Sequence, residues 1–135
     1  MPFVLDASVT ASWAFPDERH PIALRAADLM ESSLDSAVVP ILWWYEVRNM
    51  LLVNERRGRI LVARTAVFLE QIAQLPIQIE YDLTSGFILD LARSHNLTVY
   101  DASYLALAIR GNFPLATLDK GLQAAAISAG ISILV

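Results

Sequence analysis

Apolar residues along the chain fall into two kinds of segment that alternate. Short apolar runs, which indicate strands, occupy residues 2–5, 37–39, 77–80, 114–118 and 131–135. Longer stretches with apolar residues at helical spacing cover residues 8–15, 21–34, 41–57, 60–74, 82–95, 102–110 and 122–129. Strands that alternate with helices are typical of a parallel sheet covered on both faces. Because no linker or repeat divides the chain, the pattern predicts one α/β domain over residues 1–135.

Two prolines sharpen the predicted helix boundaries. Pro16 should end the first helix, because a proline inside a helix lacks the N–H that the helix needs. Pro40 suits the first position of the helix over 41–57, since its missing N–H would be unpaired there in any case.

Composition excludes several classes of protein. The chain has no cysteine, which rules out disulfides, zinc ribbons and thiol catalysis. No apolar run approaches the ~20 residues of a membrane span, and the N-terminus MPFVLDAS lacks the basic region of a signal peptide. We therefore expect a cytoplasmic protein without a membrane segment. Charged residues make up only 18%, which fits either a thick buried core or an apolar surface reserved for a partner.

The charge distribution is uneven. A formal net charge of −4 does not point to nucleic-acid binding, yet three arginines, Arg56, Arg57 and Arg59, surround Gly58. Arginine binds phosphate in a bidentate manner, so the cluster is a candidate for phosphate contacts. Alternatively, it complements the dipole of a helix that ends at Gly58.

Three acidic residues follow predicted strands or apolar runs. Asp6 and Asp119 come directly after strands, and Asp101 follows the apolar run at 97–100. In open α/β sheets, ligands bind beyond the carboxyl ends of the strands. Each of the three acids could instead cap the helix that follows it.

Glu46 is a different case, because it lies in the middle of a predicted helix. Its neighbours one turn away are Leu42 and Met50, which places it on the apolar, inward face. Capping cannot explain an acid there. The alternative is a buried salt bridge with an arginine such as Arg48.

Four converging carboxylates would repel each other, and neither a lysine nor His20 or His95 is obviously placed to neutralise them. A hard divalent cation would, and Mg²⁺ or Mn²⁺ takes oxygen ligands of this kind. Such an ion lowers the pKa of bound water and stabilises charge on a phosphodiester. Three further side chains could orient the ligands: Ser8, Asn49 and Thr117. Ser8 and Asn49 could equally be ordinary polar residues of helices.

Four segments together resemble the PIN-domain ribonucleases, and most of all the VapC-type toxins of toxin–antitoxin pairs. They are VLDAS at 4–8, PILWWYEVRN at 40–49, LTVYDASYLALA at 97–108 and LATLDKGL at 115–122. The resemblance implies a three-layer α/β/α fold with a five-stranded, mostly parallel sheet. It also implies a site for Mg²⁺ or Mn²⁺ formed by Asp6, Glu46, Asp101 and Asp119, with Ser8, Asn49 and Thr117 beside it.

The resemblance further implies a reaction and partners. The reaction would be metal-assisted hydrolysis of RNA, by a homodimer that a small antitoxin protein neutralises. The antitoxin would lay an apolar segment in a groove and place a basic side chain near the acids.

One departure from the family pattern is the pair Trp43 and Trp44, which is bulky for this position. The pair could contact RNA or antitoxin, or pack in the core or in a dimer interface. Because successive side chains on a helix point about 100° apart, at most one of the two shares the face of Glu46.

A non-catalytic α/β module is the alternative function, either a phospho-accepting receiver domain or a PIN scaffold kept for binding. A receiver needs a pair of acids after its first strand, and here only Asp6 is present. The retention of all four acids argues against a decayed scaffold.

Overall fold

The computed structural model describes residues 1–82 and 84–135. Its elements are β1 (Phe3–Leu5), α1 (Ala7–Ser12), α2 (Pro21–Glu31), β2 (Ala37–Pro40), α3 (Ile41–Arg56), α4 (Val62–Ile72), β3 (Ile77–Glu80), α5 (Ser85–His95), α6 (Val99–Gly111), β4 (Leu115–Ala116) and α7 (Lys120–Ser128). The predicted α/β fold with a parallel sheet flanked by helices is confirmed.

The sheet has the order β3-β2-β1-β4, and all neighbouring strands are parallel. Leu5, at the end of β1, pairs with Ala116, at the end of β4. The direction of strand succession reverses between β1 and β4, and such switch points are where open α/β sheets bind ligands. Asp6 and Thr117 therefore leave the sheet side by side at its switch point.

The predicted fifth strand over 131–135 is reduced to one isolated parallel bridge between Leu115 and Ile133, so the described residues form a four-stranded sheet. Two hydrogen bonds hold the bridge, from Leu115 N–H to the Ser132 carbonyl and from Leu134 N–H to the Leu115 carbonyl, each 2.9 Å. Beyond Ala116, the carbonyl of Thr117 accepts the side chain of Gln123 at 2.7 Å.

Several predicted helix boundaries were wrong by a few residues. The first helix ends at Ser12 rather than at residue 15, and Pro40 is the last residue of β2 and the N-cap of α3 rather than its first helical residue. Helix α6 begins at Val99, three residues before the predicted start, because Thr98 caps it. The helix predicted from residue 82 begins at Ser85, and Leu83 lies outside the described residues.

The core lies around β1 and α6. Every residue of β1 is fully buried, and residues 102–108 of α6 are buried on all sides of the helix. Helix α6 packs on β1, β2 and β4 and also against α5. Asp101, at the start of α6, thus lies on a helix whose middle is enclosed in the core. Among the described residues, no helix is both long and apolar enough to cross a membrane.

Candidate active site

Asp6 is the centre of a buried hydrogen-bond network. Ser8 Oγ and Thr117 Oγ1 both donate to Asp6 Oδ2, each at 2.7 Å. Each hydroxyl in turn accepts a backbone N–H at 3.1 Å, Ser8 from Leu118 and Thr117 from Asp119. Because the backbone donors occupy an acceptor site on each hydroxyl, the hydroxyl protons are directed at Asp6. The network therefore suits an ionised carboxylate.

The electrostatic environment of Asp6 combines opposing effects. Its side chain is only 6% exposed, and burial raises its pKa, while the hydroxyls of Ser8 and Thr117 lower it and the charge of Asp119 raises it again. Asp6 occupies the N-cap position of α1 but makes no side-chain capping bond. Capping thus does not account for this acid.

Asp119 does cap a helix. Its Oδ1 accepts the N–H of Leu122 at 2.8 Å at the start of α7. Gly121 leaves room for this arrangement, since a Cβ there would lie 3.2 Å from the same oxygen. The charge of Asp119 raises the pKa of both Asp6 and Asp101, so the capping carboxylate also belongs to their electrostatic environment.

Asp101 lies in the first turn of α6, where the helix dipole favours a negative charge. The cap of this helix is Thr98, whose hydroxyl accepts the Asp101 N–H at 3.0 Å. The carboxylate of Asp101 receives no hydrogen bond from the described residues. Burial raises its pKa, and the charges of Asp119 and Asp6 raise it further.

Glu46 is half-buried on α3, and Tyr104 of α6 donates a hydrogen bond to its Oε1 at 2.6 Å. Burial raises the pKa of Glu46, the Tyr104 bond lowers it, and the charges of Asp6 and Asp101 raise it. Arg48 forms no ion pair with Glu46; its guanidinium lies 3.7 Å from the centre of the Trp44 ring. The buried salt-bridge alternative is therefore wrong.

The four carboxylates share one region without a countercharge. None of them takes part in an ion pair among the described residues. Within the same part of the chain, no three acidic or imidazole groups are close enough together to hold a metal ion alone. A cation that keeps several waters and binds one or two carboxylates plus a phosphate, as Mg²⁺ does, fits this open donor set.

The three supporting residues fall into two groups. Ser8 and Thr117 contact Asp6 directly, as described above. Asn49 is exposed on α3 and makes no hydrogen bond with an acid among the described residues. Tyr104, by contrast, was missed. Its spacing of three residues from Asp101 places both on one helix face and is the signal that could have indicated it.

The two adjacent tryptophans have separate environments. Trp43 is 5% exposed, and its indole N–H donates to Thr10 Oγ1 at 2.9 Å, which joins α3 to α1. Trp44 is 39% exposed and packs against Arg48 and edge-on against Tyr45. Trp43 is a core residue, whereas Trp44 belongs to the surface.

The three arginines around Gly58 also have different environments. Gly58 has a φ of +75° and ends α3, as the helix-end interpretation requires. Arg59 turns to Asp17 and Glu18, at 3.3 and 3.0 Å. Arg56 and Arg57 are exposed.

Comparisons with known proteins agree with this geometry. The family model described as "PIN domain" matches residues 3–128. Ribonuclease VapC3 of Pyrobaculum aerophilum is 34% identical over 127 residues, which cover 90% of this chain and 92% of the relative.

Solved structures share the fold. FitAcB of Neisseria gonorrhoeae superposes with a TM-score of 0.65 at 16% identity, over 100% of this chain and 97% of the other. VapC20 of Mycobacterium tuberculosis, described as a sarcin-ricin loop cleaving toxin, gives 0.62 at 14% identity over 91% and 94%. A Pyrobaculum aerophilum protein gives 0.73 at 23% identity over 93% and 84%. Together with the acids at the switch point, the family match and the 34% identity establish that this chain belongs to the PIN-domain family.

Proposed function

We propose that this protein is a metal-dependent endoribonuclease and the toxin of a toxin–antitoxin pair. One observation carries the proposal. At the switch point of the sheet, two hydroxyls hold Asp6 as an acceptor at 2.7 Å, and three more carboxylates add charge around it without a cationic partner among the described residues. Buried negative charge of this kind is costly unless it binds something positive.

The proposed cation is Mg²⁺ or Mn²⁺, and Asp6, Glu46, Asp101 and Asp119 would hold it, one or two of them directly and the others through its bound waters. A bound ion of this kind lowers the pKa of water and stabilises negative charge on a phosphodiester. The chain itself contributes orientation and proton acceptance. Ser8 and Thr117 fix the rotamer of Asp6, and Asp101, whose carboxylate has no protein donor among the described residues, is available to accept a proton from water.

RNA is the proposed substrate because of the activities for which two similar proteins are named. VapC3 is named a ribonuclease, and VapC20 is named for cleavage of the sarcin-ricin loop. Arg56 and Arg57 are the candidates for phosphate contacts, since their guanidinium groups are exposed and form no ion pair among the described residues. Asn49 is proposed to orient substrate or water beside Glu46.

Cleavage of a structured RNA in the presence of Mg²⁺ tests the proposal. The wild type is compared with Asp6→Asn and Asp101→Asn, which preserve shape and remove one charge each. Asp90→Asn is the matched control, because Asp90 is exposed on α5 and, among the described residues, pairs with Arg93 alone. We expect both site variants to lose cleavage and the control to retain it. Cleavage by both site variants at the wild-type rate would refute the site assignment.

An antitoxin and a second copy of the chain are the proposed protein partners. A groove of about 700 Å³ between α1, α2 and α4 suits an apolar segment of an antitoxin. Its apolar lining includes Trp13, Phe15, Leu24, Phe68 and Ile72. The proposal predicts a small antitoxin gene beside this one, and co-expression with its product should suppress cleavage and yield a stable complex. Light scattering on the purified chain tests the homodimer. A cytoplasmic location and a single domain over residues 1–135 stay part of this proposal.

The non-catalytic alternatives are less well supported. In receiver-like folds the first strand lies between the second and the third, whereas here β2 lies between β1 and β3. A PIN scaffold kept only for binding would bind RNA but leave it intact in the cleavage assay.

A further inference from the structure

Tyr104 joins the two helices that carry Glu46 and Asp101. Its ring is fully buried, and its hydroxyl lies 2.6 Å from Glu46 Oε1. It stands one helical turn after Asp101 on α6. We propose that Tyr104 is a positioning residue, which fixes the carboxylate of Glu46 for divalent cation binding. This inference rests on the proposed metal-dependent function.

The direction of the hydrogen bond is fixed by electrostatics. Burial raises the pKa of Tyr104, and the charges of Asp6 and Glu46 raise it further, so the phenol keeps its proton at neutral pH. The neutral hydroxyl therefore donates to Glu46 Oε1. Glu46 Oε2 receives no hydrogen bond from the described residues and stays available to a cation or its water. One oxygen is thus anchored, while the other is free to bind.

The same bond restricts the rotation of the Glu46 carboxylate. A rotated Glu46 would be a poorer ligand, since a hard cation binds carboxylate oxygens that neighbouring groups hold in place.

A purely structural role for Tyr104 is the competing interpretation. Buried tyrosines need a partner for the hydroxyl, and any carbonyl would serve. A structural role predicts that loss of the hydroxyl changes stability but leaves the cation affinity of the folded protein unchanged. A positioning role predicts a loss of affinity that depends on Glu46.

The experiment measures Mn²⁺ binding to the full chain by titration calorimetry, without RNA. It compares the wild type, Tyr104→Phe, Glu46→Gln and the double variant, well below the unfolding temperature of each. Tyr45→Phe is the matched control, because Tyr45 adjoins Glu46 in sequence but points to solvent. We expect Tyr104→Phe to weaken Mn²⁺ binding by roughly 10- to 100-fold, the usual range for a group that orients a metal ligand. Tyr45→Phe should bind like the wild type, and Tyr104→Phe should cause no further loss in the Glu46→Gln background.

The outcomes separate this inference from the proposed function. If the wild type binds Mn²⁺ and Tyr104→Phe binds it equally well, the positioning role is overturned and the function stands. An equal loss in both Glu46 backgrounds also overturns it, because Tyr104 would then act independently of Glu46. If the wild type binds no Mn²⁺ without RNA, the inference is overturned, and the dependence of RNA cleavage on Mn²⁺ decides whether the metal-dependent function stands.

A second measurement keeps the test decisive if Tyr104→Phe does not fold. The wild-type sequence is labelled with 3-fluorotyrosine, and single Tyr→Phe variants at 45, 81 and 100 assign three fluorine resonances, which leaves that of Tyr104. Addition of Mg²⁺ should shift the Tyr104 resonance and leave that of the exposed Tyr81 in place. An unchanged Tyr104 resonance under saturating Mg²⁺ would overturn the inference.

Discussion

Thr117 donates a hydrogen bond of 2.7 Å to Asp6, and this bond joins two residues that are 111 positions apart in the chain. The same hydroxyl accepts the backbone N–H of Asp119. One side chain at the switch point of the sheet thus orients one acid of the site and fixes the backbone of another.

Replacement of Thr117 by valine should therefore affect both stability and activity. The variant keeps the shape of the side chain but leaves the buried Asp6 with one hydroxyl donor fewer. We expect the free energy of unfolding to fall by about 1–3 kcal/mol and RNA cleavage to fall roughly 10- to 100-fold. Urea unfolding and the cleavage assay measure the two effects.

Thr117→Ser is the control for this change, because it loses a methyl group and keeps the hydroxyl. It should lose about 1 kcal/mol of stability from the missing methyl and retain most of the cleavage activity. A serine variant as inactive as the valine variant would show that the hydroxyl is not what the site requires.

The acids of the site predict an unusual dependence of stability on pH. Burial raises the pKa of Asp6, Glu46 and Asp101 in the folded protein. The folded state then binds more protons than the unfolded state between the ordinary carboxyl pKa, about 4, and the raised values. Stability contributed by these groups therefore increases as the pH falls from neutral through that window, and is lost as the pH rises through it.

Asp101→Asn makes this dependence measurable. At neutral pH and in the presence of a chelator, the variant should be more stable than the wild type by roughly 0.5–1 kcal/mol, because it removes a repelling charge and Asp101 is partly screened by solvent. The difference should shrink as the pH falls and the wild-type carboxyl takes up its proton. A difference in urea midpoint that stays constant with pH would contradict the raised pKa of Asp101.

Three of the four acids could be located from local signals, because Asp6 and Asp119 follow strands and Glu46 interrupts the apolar face of a helix. Asp101 was indicated mainly by the family resemblance, since its local context also suits a cap. The contact of Tyr104 with Glu46 could not be predicted from the spacing of Tyr104 to Asp101, because it depends on how α6 lies against α3, and helical periodicity says nothing about that packing. The fifth strand was wrong for a related reason: residues 131–135 have the composition of a strand, but composition does not determine how many of them pair, and only the bridge between Ile133 and Leu115 forms among the described residues.

The adjacent tryptophans provide a matched pair of variants. Trp43→Phe removes the indole N–H that binds Thr10 in the core, so the free energy of unfolding should fall by about 1–3 kcal/mol. Trp44→Phe keeps an aromatic ring beneath Arg48 on the surface and should change stability by no more than about 0.5 kcal/mol. Thermal unfolding of the two variants side by side provides the check. Equal destabilisation by both would contradict the assignment of Trp44 to the surface.

The arginines at the end of α3 should differ in their contribution to RNA binding. Arg59 is engaged with Asp17 and Glu18, whereas Arg56 and Arg57 are exposed. Replacement of Arg56 and Arg57 by glutamine should weaken RNA binding and flatten its dependence on salt. The slope of log affinity against log salt should fall by about 1–2 units, because each phosphate contact on a single strand contributes about 0.7.

Arg59→Gln is the control for that experiment. It should leave RNA affinity nearly unchanged and reduce stability by about 1–2 kcal/mol, since it removes exposed ion pairs with Asp17 and Glu18 and the contact of the guanidinium with the Phe15 ring. Fluorescence anisotropy in the Asp6→Asn background measures binding without cleavage. If Arg59→Gln flattens the salt dependence as much as the double replacement does, the proposal that Arg56 and Arg57 contact phosphate and Arg59 does not is wrong. If neither variant changes it, the arginines serve the end of the helix alone, and the phosphate contacts lie elsewhere on the protein.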